Sequence, residues 1–339
     1  MGYVGPVLGR ELRRAHPDYE LLGFDAGFFG HCLVAPGRLP ETELDAQLFG
    51  DVRAVGAREL GGVDAVVQLA AVSNDPMGKT FEAPTYAINR DATVHLAREA
   101  AAAGVRSFVF ASSCSIYGVA DGPPRTETDP VAPMTAYAKS KVAAEEALAQ
   151  VEGDMTVTCL RFATACGMSP RLRLDLVLND FVAAALAEGR IRVLSDGTPW
   201  RPLIDVADMA RAIDWAIHRD AEASGRTLVV NAGASDHNYT VRELAEAVAH
   251  ALPGTDVSIN ADAPVDSRSY RVDFRRFEGL APDHRPLRSL GDSIRGLVEG
   301  LRGAGFADAG FRGSDLIRLK TLEGHIAAGR LTPDLRWAA

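Results

Sequence analysis

The chain has 339 residues, 47% of them hydrophobic, which is enough for one large or two modest domains around a buried core. A formal charge of −9 argues against a nucleic-acid partner. No run of about eighteen apolar residues and no signal-peptide layout occurs, so no membrane partner and a cytoplasmic location are expected. The four cysteines (Cys32, Cys114, Cys159, Cys166) form no Cys-x-x-Cys pair and the histidines do not cluster in sequence, so neither a metal site nor a disulfide framework is expected.

Taken in order, Met1-Gly2-Tyr3-Val4-Gly5 reads as the latter half of a Gly-x-x-Gly-x-x-Gly turn that opens a helix from about Val7 to Ala15. In a dinucleotide-binding fold such a turn follows a central strand, and here that strand and the first glycine are missing. About five or six buried aliphatic residues at roughly 1.5–3 kcal/mol each amount to about 10 kcal/mol, comparable with a domain's whole net stability. The expectation is therefore a start further upstream, with the 339-residue form folding poorly or binding cofactor weakly. Tyr19 to Asp25 reads as a strand ending in an acid at roughly the 20-residue distance from the glycines at which a ribose-binding carboxylate stands. Asp25 would accept from both ribose hydroxyls and repel a 2′-phosphate, which favours NAD over NADP.

The loop from Ala26 to Pro40 holds Phe28, Phe29 and His31, to which no role is assigned beyond a solvated His31. A third strand runs over Ala46–Val52. The unbroken apolar run Asp64 to Ala71 reads as a parallel strand buried on both faces, and its small last residues, Leu69-Ala70-Ala71, leave room for a cofactor. A long helical pattern from about Phe81 to Ala103 carries Asn89.

Phe108 to Gly118 is an apolar strand running into hydroxyl residues, the kind of strand end at which open parallel sheets place ligands. After a Pro/Gly/acidic loop comes Tyr137-Ala138-Lys139-Ser140-Lys141, whose tyrosine and second lysine lie on one helix face, one turn apart. A phenol titrates near pH ~10 and serves as a base near neutrality only if a neighbouring positive charge favours its phenolate, which Lys141 is placed to do. The helix continues to about Gln150, and Thr156 to Phe162 reads as the next strand. Cys166 has no paired base nearby in sequence and is expected to be a small buried residue. Beyond Arg171 strict alternation of strand and helix breaks down.

These motifs, in order and spacing, resemble the extended short-chain dehydrogenase/reductase family, the NAD-dependent nucleotide-sugar epimerases and dehydratases, over roughly residues 2–300. The resemblance implies an α/β fold: a Rossmann-like doubly wound parallel sheet, its first strand missing from the chain, with a smaller C-terminal substrate lobe. It divides the chain into residues 1–170 (NAD-binding), 171–302 (substrate lobe interleaved with the last sheet strands) and a C-terminal helical extension, 303–339.

The resemblance also assigns roles. Ser113, Tyr137 and Lys141 become the catalytic set. Gly2, Tyr3, Val4, Gly5, Asp25, Asp51, Val52, Leu69, Ala70, Ala71 and Asn89 join Tyr137 and Lys141 around NAD. Ser113, Thr164, Arg201 and Arg268 meet the nucleotide sugar, the arginines because a guanidinium fork matches two phosphate oxygens. The family usually has asparagine where Thr164 stands, so substrate identity is open at that point. A homodimer is implied. The activity implied is epimerisation by transient oxidation, with C4 the expected carbon. Dehydratases of the family carry an Asp-Glu pair directly after the strand-end hydroxyl, where this chain has Cys114 and Ser115. A 4,6-dehydratase, a dehydrogenase/reductase and a non-catalytic NAD or nucleotide-sugar binder are the alternatives.

Overall fold

The computed structural model describes residues 1–119, 122–263 and 269–338. The strands, in chain order, are β1 Leu22–Asp25, β2 Ala46–Phe49, β3 Ala65–Gln68, β4 Ser107–Ser113, β5 Thr156–Phe162, β6 Thr164–Cys166, β7 Arg190–Val193, β8 Trp200–Asp205, β9 Thr227–Ala232, β10 Asn238–Thr240 and β11 Asp256–Ile259. Four of them form an all-parallel sheet in the order β3-β4-β5-β9, with Phe110 opposite Cys159 and Ser113 opposite Phe162. The chain is thus an α/β protein built on a parallel central sheet.

Alternation along β4 explains why it sits in the middle. Phe108 and Phe110 point to a cluster with Leu96, Ala97, Ala144 and Leu148 of helices Thr93–Ala102 and Ala136–Leu148. Val109 points the other way, into a cluster with Leu8, Leu12, Met209 and Ile213 of helices Gly5–Ala15 and Val206–His218. A strand covered on both faces is apolar through its middle, which is why β4 runs Phe108-Val109-Phe110-Ala111 without a polar break, while β5 also carries the buried Thr158 and Arg161.

A second cluster gathers helices Val177–Glu188, Val241–Ala251 and Leu290–Gly303 with the parallel pair β7–β11. A small sheet, β10-β8-β6, links this lobe to the main one, because β6 leaves the end of β5 after a single residue and pairs with β8. Among the described residues no helix is long and apolar enough to cross a membrane.

The parallel sheet comes in two parts. Among the described residues β1 and β2 pair only with each other, and no ladder joins β1 to β3. Both strands line one continuous cleft, so the inner edge of β1 faces the outer edge of β3 across open space. Leu22, Leu48 and Phe49 are exposed, unusual for apolar strand residues in a doubly wound sheet.

Histidines scattered in sequence do cluster in space: His16 Nε2 lies 2.8 Å and His218 Nδ1 3.2 Å from Asp214 Oδ1, with His284 Nε2 3.8 Å from Oδ2. Chain folding over 198 residues creates the group. Its members satisfy one another, since His218 Nδ1 also bonds the Asp214 carbonyl at 2.7 Å and His218 Nε2 contacts the Tyr19 hydroxyl.

Candidate active site

The C-terminal ends of β3, β4 and β5 open into a cleft of about 1790 Å³, where Ser113, Tyr137, Lys141, Thr164 and Arg201 converge. Tyr137 is the second residue of helix Ala136–Leu148, whose start is capped by Thr135: its hydroxyl accepts from Ala138 N at 3.2 Å and donates to Asp75 Oδ1 at 2.7 Å. Gly78 lets helix Asp75–Thr80 approach closely, because a Cβ there would stand 3.1 Å from Tyr137 N. Burial raises the Tyr137 pKa, opposed first by a hydrogen bond with Ser113 and then by the charge of Arg173.

Lys141 follows one turn later and is buried. Its Nζ donates to the Ala111 carbonyl at 2.6 Å and lies 5.7 Å from the centre of the Tyr137 ring. Burial pulls its pKa down to about 8, with Glu145 pulling the other way. Because this folded-state pKa lies below the unfolded value, the unfolded chain binds more protons between about pH 8 and 10.5, and the buried ammonium's penalty fades over that window. Wild type should therefore gain stability relative to Lys141→Met as pH rises from 8 to 10. Urea midpoints of the two proteins measure this, and a difference that stays flat with pH would refute the buried-ammonium account.

Behind the site, Arg161 pairs with Glu145 at 2.7 Å and reaches the Tyr117 hydroxyl at 3.1 Å, and Ser112 donates to the same carboxylate. Ser113 Oγ donates to Ser115 Oγ at 2.9 Å, so both hydroxyls face the cleft. Cys114 turns away: it is fully buried, its Sγ donates to the Arg161 carbonyl at 3.0 Å, and burial pushes its thiol pKa well up. Cys166 is likewise buried, donating to the Ile204 carbonyl.

Other sequence-predicted residues fall in different places. Gly2, Val4 and Gly5 line the cleft at the start of helix Gly5–Ala15, and nothing lies within 4 Å of where a Gly2 Cβ would project. Tyr3 lines it only in part, because its side chain is buried in the cluster around helices Val177–Glu188, Val241–Ala251 and Leu290–Gly303 and its hydroxyl donates to the Gly167 carbonyl at 2.6 Å. Asp25 ends β1 at the cleft, and Leu69, Ala70, Ala71 and Val52 form walls. Asp51 also lines the cleft. Burial raises its pKa, but ties to Arg53 dominate and hold its carboxyl below the ordinary value.

Asn89 does not line the cleft. In a π-helical turn, Ala87–Ala92, it accepts from Val72 N at 2.9 Å and donates to Val72 O at 3.0 Å and Ser140 Oγ at 3.1 Å, clamping the end of β3 to the Tyr137 helix. Arg201 is buried and donates to Trp200 O at 2.9 Å. Arg268 lies outside the described residues.

Sequence reasoning passed over three cleft residues. Arg173 is held by Ser73 Oγ at 2.8 Å and by Asp175 at 2.9 Å. Tyr270 shares a hydrogen bond with Thr164, and burial raises its pKa. Asp75 anchors Thr135. The alternating Arg171-Leu172-Arg173-Leu174-Asp175 was the available signal for the first, since alternate charges in a loop beside a ligand-bearing strand end face one side. The preceding Asn74 adopts a left-handed φ of 117° while capping helix Asp75–Thr80, a strained backbone of the kind found beside reacting groups.

A phenol, a hydroxyl and an ammonium thus share one cleft at the ends of parallel strands with a glycine-opened helix and a strand-end carboxylate, groups of the kind that dinucleotide-dependent oxidoreduction uses. A model of the NAD dependent epimerase/dehydratase family matches residues 1–233, and the chain belongs to that family, within the extended short-chain dehydrogenases/reductases. The UDP-glucose 4-epimerase of Corynebacterium glutamicum is 25% identical over 312 residues, 85% of this chain and 91% of that one. The dTDP-glucose 4,6-dehydratase of Streptomyces griseus is 28% identical over 290 residues, 76% of this chain and 87% of its own. MoeE5, solved in complex with UDP-glucuronic acid and NAD, superposes with a TM-score of 0.75 at 27% identity, covering 89% of this chain and 96% of that one.

The cofactor of the family is NAD, and the cleft suits it. Its volume of about 1790 Å³ leaves room for a dinucleotide, the open side of Gly2 leaves backbone accessible at a helix start with no acidic residue in its first turn, and Asp25 places a carboxylate at the end of β1 in the same cleft.

Proposed function

We propose that this chain is a nucleotide-sugar 4-epimerase. The observation that carries the reading is the pairing of Ser113, Tyr137 and Lys141 in one cleft with a buried thiol and a hydroxyl, Cys114 and Ser115, at the two positions that follow Ser113. Removing water needs an acid to protonate the leaving hydroxyl. A buried thiol whose pKa is pushed well above its ordinary value is no such acid, and a serine hydroxyl is a far weaker one than a carboxyl.

Bound NAD supplies a two-electron acceptor that gives the electrons back within the same turnover. Gly2, Val4 and Gly5 present backbone to its pyrophosphate, Asp25 holds a ribose, and Val52, Leu69, Ala70 and Ala71 form the walls. The protein's own groups handle the proton. Tyr137 Oη takes it from the sugar hydroxyl and later restores it, Ser113 Oγ donates to the same oxygen, and the charges of Lys141 and Arg173 favour the phenolate between those steps. Arg201 meets the diphosphate.

The test is the fate of a UDP-hexose incubated with enzyme and NAD. The expected product is its C4 epimer at unchanged mass. A 4-keto-6-deoxy product, lighter by one water, would overturn the reading, and steady accumulation of NADH would assign a dehydrogenase. The double variant Cys114→Asp/Ser115→Glu should be the form in which water loss appears.

A further inference from the structure

The last residues of the chain fold back onto the cleft beside Asp25, Asp51 and Val52. Helix Arg318–Ala327 is followed by a tight hairpin in which Leu331 bridges Trp337 and Thr332 N donates to Arg336 O at 2.9 Å. Leu322, Leu331 and Leu335 of this segment share a cluster with Val52 and Val72, which follow β2 and β3, and with Met77, Phe81 and Ile88 of the helical stretch after β3. Leu319, Leu322 and Leu335 line the cleft itself. Leu335 is fully buried at a left-handed φ of 53°, a conformation that costs a bulky residue roughly 1 kcal/mol or more and persists only where surroundings enforce it.

Polar contacts fasten the hairpin to both loops that follow β1 and β2. Arg53 donates to Asp334 O at 2.8 Å and Leu335 O at 2.7 Å while its Nε bonds Asp51 at 2.8 Å, and Arg336 reaches the same Asp51 carboxylate at 3.1 Å. Trp337 Nε1 donates to Ala26 O at 2.6 Å, one residue beyond Asp25. Its ring packs on Phe28, and His325 Nε2 donates to the Phe28 carbonyl at 2.9 Å. The family model ends at residue 233, so these contacts lie outside what it describes.

We infer that the C-terminal hairpin, residues 329–338, is the outer wall of the cofactor's adenosine subsite and holds NAD in place between turnovers. Arg336 and Trp337 act as positioning residues through Asp51 and the Ala26–Phe29 loop. The inference rests on the reading that the Asp25/Asp51 end of the cleft takes the adenosine half. It fits an enzyme whose cofactor returns to its starting state in every cycle and gains nothing from leaving.

The test compares three full-length proteins, wild type, Arg336→Ala/Trp337→Ala and Asp25→Ala, by NAD dissociation constant and dissociation rate, with UDP affinity and the cofactor-free melting temperature as controls. The hairpin variant should bind NAD about tenfold more weakly, mainly through faster dissociation, with UDP affinity unchanged. Unchanged NAD binding in that variant, with Asp25→Ala weakened, overturns the wall and leaves the subsite standing. Unchanged binding in Asp25→Ala removes the subsite reading itself. If the hairpin variant melts markedly lower, wild type decides: because coupling is reciprocal, NAD should slow tryptic cutting after Arg330 and Arg336 relative to cutting after Arg190. Equal slowing at all three sites would also overturn the inference.

Discussion

Tyr137→Phe is expected to lower kcat by roughly 10²–10⁴-fold, the usual contribution of a positioned general acid/base, with little change in KM. The substitution removes one oxygen and leaves the ring and the backbone and Cβ that pack against Gly78, so folding and substrate contact should persist. Ser113→Ala should cost less, since Ser113 orients the reacting oxygen without taking its proton, and its second partner Ser115 remains in the cleft. Steady-state rates of epimer formation at saturating substrate, with circular dichroism to verify folding, measure both. A Tyr137→Phe enzyme within threefold of wild type would remove the phenol from the reaction, and a Ser113→Ala loss exceeding that of Tyr137→Phe would reverse the roles.

The Tyr137 helix and the strands β4 and β5 were legible because several signals coincided there. The aliphatic and aromatic residues of β4 and β5 serve two covered faces, the hydroxyl residues that end β4 mark where open parallel sheets place ligands, and a four-residue spacing is meaningful once the segment is helical. Asn89 shows where such reading stops. Its side chain is a structural clamp rather than part of the cleft, and nothing in the sequence signals the π-helical turn that aims it at Val72 and Ser140. Tyr3 illustrates another limit, because a glycine-turn motif specifies where the backbone goes and leaves the phenol free to enter the neighbouring lobe. The hairpin residues are invisible for a third reason: Arg336 and Trp337 meet partners 285 and 311 residues away, so their roles exist only in the folded chain.

Joining an apolar strand of about five or six residues ahead of Met1 is expected to raise both melting temperature and NAD affinity, the larger stability effect among these predictions. Met1 lines the cleft with its ammonium 3.8 Å from Asp25 at the end of β1, so a segment continuing backward from it would run parallel to β1, between β1 and β3. There it could pair with both open edges and cover apolar residues around the slot. Gross burial of about 10 kcal/mol from roughly 1.5–3 per aliphatic side chain would be largely offset by ordering each residue at about 1–2 kcal/mol. Ladder hydrogen bonds at roughly 1 kcal/mol each then leave a net gain of a few kcal/mol, or several degrees. The extension also moves a positive charge away from Glu41, which it contacts at 2.7 Å, but Arg171 remains paired with that carboxylate at 2.6 Å. NAD affinity should follow, because the added strand would fix the turn at Gly2 whose backbone faces the cofactor. Thermal melts and NAD titrations of the 339-residue chain, an extended chain and a control with a polar extension of equal length decide it. An extended chain that melts no higher than the control would show that the two halves of the sheet do not need a strand between them.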